Sequence, residues 1–227
     1  MSLTKEHPMN MPALDLMVFI DVICPWCYVG KRRLEKALAL VDASARIRVN
    51  WLPFELNPDM PKGGMERRLY RMRKFGSWER SQALDAQLTE LGAQEGLSLH
   101  YDLIQRTPNT FDAHRLIWLA GQGNTQSELV EALFRAYFCQ GRDVGDVGTL
   151  ADIASEAGMD LARVALFLKD QEGAEDVRRY EEEANRAGIS GVPAFIGNRR
   201  PLLMGAQPPE VIASALKGIL GLAPMPG

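Results

Sequence analysis

The chain has 227 residues, 46% of them hydrophobic, enough to bury a core as one large domain or two small ones. Its formal charge of −3 supplies no basic field for a nucleic acid, and its longest apolar runs fall far short of a membrane span. Three cysteines are too few for a structural disulfide framework, so the expected compartment is the reducing cytoplasm.

The opening "MSLTKEHPMNMPALDLMVF" lacks a basic region followed by an apolar core and a small-residue cleavage site, so it does not read as a secretory signal. "LDLMVFIDVI" (14–23) is apolar and rich in β-branched residues, the pattern of a central strand buried on both faces. From Pro25 the period changes. Leu34, Ala37, Leu38 and Val41 recur at helical spacing, with Lys31, Arg32, Arg33 and Lys36 between them. "ARIRVNWLPF" (45–54) alternates apolar with polar, a second strand closed by Pro53. Strand, helix, strand predicts a parallel pair joined by a crossover. "NPDMPKGG" (57–64) reads as a linker, after which helical spacing runs through 65–75, 78–95, 109–121, 126–139, 149–157, 160–169 and 171–187. Strand character returns in "GVPAFIGNRRPLLMGA" (191–206), with "GNRR" as a hairpin turn, and 207–220 is a final amphipathic helix. The predicted organisation is an α/β unit built from 14–60 and 186–222, interrupted by an all-helical domain over 61–185.

Cys24 and Cys27, in "DVICPWCYVGKRRLEKAL" (21–38), sit one turn apart where strand gives way to helix. Three readings are open. Free cysteine is often a buried core residue. A structural zinc site needs four ligands, and only Cys139 and three histidines remain to complete one, with no second CxxC. A redox pair has a reason at each position. Free N–H groups at the helix start stabilise a thiolate on Cys24, and Pro25 suits the first helical turn. Cys27, across the same turn, is placed to resolve a mixed disulfide formed on Cys24. A CxxC beside a strand–helix–strand pattern is a specific signal for that chemistry.

These residues, with "GISGVPAFIGNRRPLLMGAQPPEVI" near the C-terminus and "NTFDAHRL" (109–116), resemble the DsbA-like thioredoxin-fold oxidoreductases, and within them the cytoplasmic FrnE-like branch. The resemblance implies a thioredoxin fold, with a mixed central sheet flanked by helices and a large helical insertion, acting as a dithiol–disulfide oxidoreductase. Cys24 is then the attacking thiol and Cys27 the resolving one. Pro193 corresponds to the family's cis-proline, which brings Val192 beside the pair to meet an extended substrate. Pro25, Trp26, Val192, Pro193, Asn109 and His114 are expected to line the substrate cleft. The implied substrate is a thiol or disulfide, protein or small molecule, with glutathione a possible co-substrate and no metal or other cofactor. No nucleic-acid or membrane partner is expected, and the oligomeric state stays open.

Two positions depart from relatives of this fold. Thioredoxins bury an acid six residues before the first cysteine, where this chain has Val18; Asp21 is the nearest carboxylate, either a substitute proton relay or a strand-end group bonding local N–H donors. Trp26 stands where periplasmic DsbA has a histidine and offers only a neutral indole N–H, implying a less oxidising pair. Kappa-class glutathione transferases and 2-hydroxychromene-2-carboxylate isomerases share the implied architecture but use serine at the position of Cys24, so retention of both thiols favours redox chemistry. A peptide-binding module with idle thiols is a third possibility. Cys139 reads as core filler, as do Phe75 and Trp78; Asn109 and Asp112 suit a helix start.

Overall fold

A computed structural model describes residues 13–42 and 45–222. The elements of the α/β part are β1 (Ala13–Ile20), α1 (Pro25–Ala39), β2 (Arg46–Pro53), β5 (Ala194–Gly197), β6 (Arg200–Met204) and α9 (Pro209–Leu220). Their four strands form one mixed sheet in the order β2-β1-β5-β6, with β1 parallel to β2 and antiparallel to β5. Covered on both faces, β1 buries two sets of side chains, which accounts for its near-continuous apolar run. Leu14, Leu16, Val18 and Ile20 join one core with Leu34 and Ala37 of α1 and Ile212 and Leu216 of α9. Phe19, with Met17 at its edge, joins a smaller cluster containing Leu52, Ala184, Ile189 and Ile196 on the opposite face.

The first strand stops at Ile20, three residues earlier than its composition suggests. Asp21 ends it: the carboxylate accepts the N–H of Ile23 at 3.3 Å and that of Leu56 at 2.8 Å, diverting the chain into the turn that precedes α1. The β5–β6 connection is a tight hairpin in which Asn198 and Arg199 both have positive φ, 48° and 63°, as a two-residue turn between twisted strands requires.

Between the sheet halves lie α2 (Arg67–Phe75), α3 (Trp78–Gln94), α4 (Phe111–Gly121), α5 (Gln126–Gln140), α6 (Val147–Glu156), α7 (Leu161–Lys169) and α8 (Ala174–Arg186). The insertion is not purely helical: β3 (Met65–Glu66) and β4 (Arg106–Thr107) pair antiparallel at the base of α2. The large core runs unbroken from the sheet into these helices. At the junction Tyr28 of α1 stacks on Phe134 of α5, ring centroids 5.0 Å apart, and its hydroxyl donates to Glu131 at 2.9 Å. Arg115 of α4 is buried and donates to the carbonyls of Phe167, Asp170 and Glu172 and to the Asp112 carboxylate, tying α4 to the α7–α8 connection. Among the described residues no helix is long and apolar enough to cross a membrane, and no cluster of His, Cys, Asp and Glu side chains suits a metal ion.

Candidate active site

Cys24 is the N-cap of α1, in extended conformation, and Pro25 occupies the first helical turn, where its missing N–H costs nothing. The Cys24 carbonyl accepts the N–H of Cys27 at 3.0 Å and that of Tyr28 at 3.4 Å, closing the turn that brings the two side chains together. Both are free thiols. Cys24 retains 5% exposure, whereas Cys27 is wholly enclosed. Burial, and then the hydrogen bond and charge of Cys24, push the Cys27 thiol well above its ordinary value; the Asp21 backbone pulls the other way.

The Cys24 thiol donates to the Val192 carbonyl at 3.6 Å, joining the two ends of the chain at this point. The Val192–Pro193 peptide bond is cis. Pro193 is buried behind the pair, its carbonyl accepting the Gly205 N–H at 2.8 Å, and its ring lies against Gly30 of α1. A cleft of about 340 Å³ opens above Cys24. Pro25, Trp26 and Val192 line it on the thioredoxin side, and Trp26 is exposed at 45%. The far side is supplied by the insertion: Arg67, Tyr70, Arg71, Lys74 and Phe75 of α2, with Leu84, Leu88, Tyr101, Tyr137 and Phe138. Phase along α2 explains the first four, because positions i, i+3, i+4 and i+7 share one helix face. Phe75, expected as core packing, lines the cleft instead, with Arg71 4.3 Å over its ring.

Asn109, His114 and the buried Pro193 are not among the residues that line this cleft, which corrects that expectation. Asn109 uses its side chain structurally, donating to Met60 O at 2.8 Å and accepting the Phe111 N–H at 3.0 Å; the helix cap itself is Thr110. His114 is fully buried because the first turn of α4 packs inward. Its Nε2 lies 3.6 Å from Asp21 Oδ1, an ion-pair distance too long for a hydrogen bond, so neither ring nitrogen has a hydrogen-bond partner among the described residues. Burial alone would lower the His114 pKa, but Asp21, reinforced by Glu55 and Glu181, raises it above the ordinary histidine value. Burial pushes Glu55 up to about 8 against the pull of His114, with Glu181 and Asp21 adding to the rise. Asp21 thus bonds strand-end N–H donors and also faces a buried imidazole. Val18, at the position of the thioredoxin acid, is ordinary core. Cys139 is half-buried on α5, and burial raises its thiol as well.

This combination of a dithiol at the start of a helix and a cis-proline loop touching it can be compared with known proteins. The model of the DsbA-like thioredoxin domain family matches residues 15–217. The chain belongs to that family. A probable DsbA oxidoreductase from Streptomyces coelicolor is similar over 94% of this chain and 93% of its own, with 35% identity and a TM-score of 0.85. Two more distant structures share the DsbA-like fold. A 2-hydroxychromene-2-carboxylate isomerase aligns over 90% of this chain and 95% of its own, with 16% identity and a TM-score of 0.66. DsbM from Pseudomonas aeruginosa, described as a cytosolic disulfide reductase and also solved with GSH, aligns over 92% of this chain and 100% of its own, with 20% identity and a TM-score of 0.63.

Proposed function

We propose that this DsbA-like protein is a dithiol–disulfide oxidoreductase of the FrnE-like branch, working in the cytoplasm through Cys24 and Cys27. The observation that carries the reading is the asymmetry of the pair. Cys24 opens on the cleft at a helix start and touches Val192, while Cys27 lies enclosed one turn below it. When the dithiol acts as reductant, the Cys24 thiolate attacks a substrate disulfide, forming a mixed disulfide and releasing one substrate thiol. Cys27 then loses its proton and attacks Cys24 Sγ, which closes the Cys24–Cys27 disulfide and releases the second thiol. The substrate disulfide gains two electrons and two protons, and the enzyme dithiol loses them. The raised pKa of Cys27 keeps it protonated until that second step. The same steps reversed oxidise a dithiol.

Pro25, Trp26 and Val192 are the substrate-facing residues of this reading, with Pro193 holding Val192 in place. Glutathione is a candidate co-substrate, supported by the GSH complex of DsbM, whose cytosolic description also supports the compartment. The isomerase resemblance supports the shared fold, but this chain's second thiol has no task in such a reaction. The test is insulin reduction with Cys24→Ser and Cys27→Ser as controls. Loss of activity in both variants is expected, and full activity in either would overturn the reading. A glutathione-conjugation assay is expected to show no turnover.

A further inference from the structure

The face that α2 turns toward Cys24 is basic although the chain as a whole is acidic. Arg67, Arg71 and Lys74 line the cleft, and among the described residues no carboxylate lines it. Asp85 stands behind, taking Arg67 at 2.6 Å and Arg71 at 2.5 Å, so a single carboxylate serves two guanidinium groups. Lys74 is held by the Tyr70 hydroxyl at 2.8 Å, a neutral partner. Arg67, Arg71, Lys74 and Asp85 together therefore leave two net positive charges at a largely apolar cleft, with Arg67 buried, Arg71 half-buried and Lys74 exposed; charge interactions of the buried groups are stronger than in water. Hydrogen-bonding capacity is also left over. Arg67 is 6% exposed, its guanidinium lies 5.3 Å from the Tyr101 ring centre, and Arg67 Nε and the Tyr101 hydroxyl have no hydrogen-bond partner among the described residues. Buried donors left unpaired are uncommon and call for an explanation.

We propose that this cleft selects low-molecular-weight disulfides that carry a carboxylate a few bonds from sulfur. The carboxylate is taken by the Arg67–Arg71–Lys74 face with the Tyr101 hydroxyl, and the sulfur meets Cys24. The cleft volume suits a small molecule or one extended segment rather than a folded surface. Arginine forks favour carboxylate geometry, and the apolar remainder, Leu84, Leu88 and Phe138, receives the substrate's carbon chain. The proposal rests on the redox reading above. It adds a specificity that a dithiol alone lacks, since a free thiolate is repelled by an anionic disulfide.

The test mixes the fully reduced protein with each of three disulfides of similar size: dianionic 3,3′-dithiodipropionate, neutral bis(2-hydroxyethyl) disulfide and dicationic cystamine. The rate of Cys24–Cys27 disulfide formation is compared with that of dithiothreitol on the same compounds. Dithiothreitol sets the intrinsic order; the protein should invert it, favouring the dianion over the neutral compound by about tenfold, worth roughly 1.4 kcal/mol. That preference should shrink as salt rises from about 10 mM to about 0.5 M, and shrink again in Lys74→Gln and in Arg67→Gln. The salt series uses the unaltered protein, so the result stands even if Arg67→Gln fails to fold. Equal rates on all three disulfides, after correction by dithiothreitol, would overturn the carboxylate preference and leave the redox reading intact. No reaction with any of them while insulin reduction persists would overturn this proposal alone; loss of insulin reduction as well would remove the redox reading with it.

Discussion

Gly30 lies on the face of α1 that meets the cis-proline loop, and a methyl group there tests how tightly the site is built. A Cβ at Gly30 would sit 2.8 Å from Pro193 Cγ, 3.5 Å from Pro193 Cβ and 3.7 Å from the Ala206 methyl. The first of these is closer than carbon atoms tolerate. The ring has little room to yield, because the Pro193 carbonyl is held by Gly205 at 2.8 Å and the residue is buried. Alanine for glycine inside a helix gains about 1 kcal/mol of propensity, while overpacking a dense site costs about 1–3 kcal/mol. The balance for Gly30→Ala is a net loss of about 1 kcal/mol, or roughly 2–4 °C in Tm for a chain of this size. Gly218 of α9 is the control, since a Cβ there meets nothing within 4 Å among the described residues. Gly218→Ala should raise Tm by a similar amount. Displacing Val192 from Cys24 should also slow insulin reduction about tenfold in Gly30→Ala, because misplacement well under 1 Å is felt in a reacting geometry. Urea denaturation of both variants and a turnover assay check this. Equal stabilisation by the two alanines would refute the close contact on which the reasoning depends.

Cys27→Ser should accumulate mixed disulfides through Cys24, seen as adduct masses after mixing with substrate, whereas Cys24→Ser should accumulate none. Arg115→Met should destabilise by about 3–5 kcal/mol in chemical denaturation, because three interior carbonyls and Asp112 lose their donor at once. Stability should fall as pH rises through neutrality. Glu55 stands at about 8 against an ordinary 4.5, so the contribution of its protonated form is complete below about 4.5 and lost as pH climbs through 8. His114, also raised, loses its contribution in the same direction, above the ordinary histidine value. Glu55→Gln should flatten the profile of denaturation midpoint against pH between 5 and 8; an unchanged slope would remove Glu55 as its source.

The pattern of strands and helices was legible in the sequence because it depends on local spacing. An apolar run broken at Asp21, a proline one residue past Cys24 and helical periodicity through seven further segments correspond to β1, the start of α1 and the inserted helices. The hairpin was equally legible, since Asn198 sits at a turn that needs positive φ. The Cys24–Cys27 pair and Pro193 could be picked out because their residue types carry their geometry with them. Other features depend on residues far apart in the chain, and spacing does not encode them. Nothing local says that His114 will face Asp21 across 93 positions, or that Asn109 will be used up on Met60. The two-residue ladder of β3 and β4 is too short to leave a period in the sequence. The basic stripe of α2 could have been found in "RRLYRMRKF", where Arg67, Tyr70, Arg71 and Lys74 fall at i, i+3, i+4 and i+7. Such a stripe ordinarily faces water. Only the folding of the helical insertion against the sheet turned it toward Cys24, in a cleft that Phe138 of α5, stacked on Tyr28 of α1, also lines.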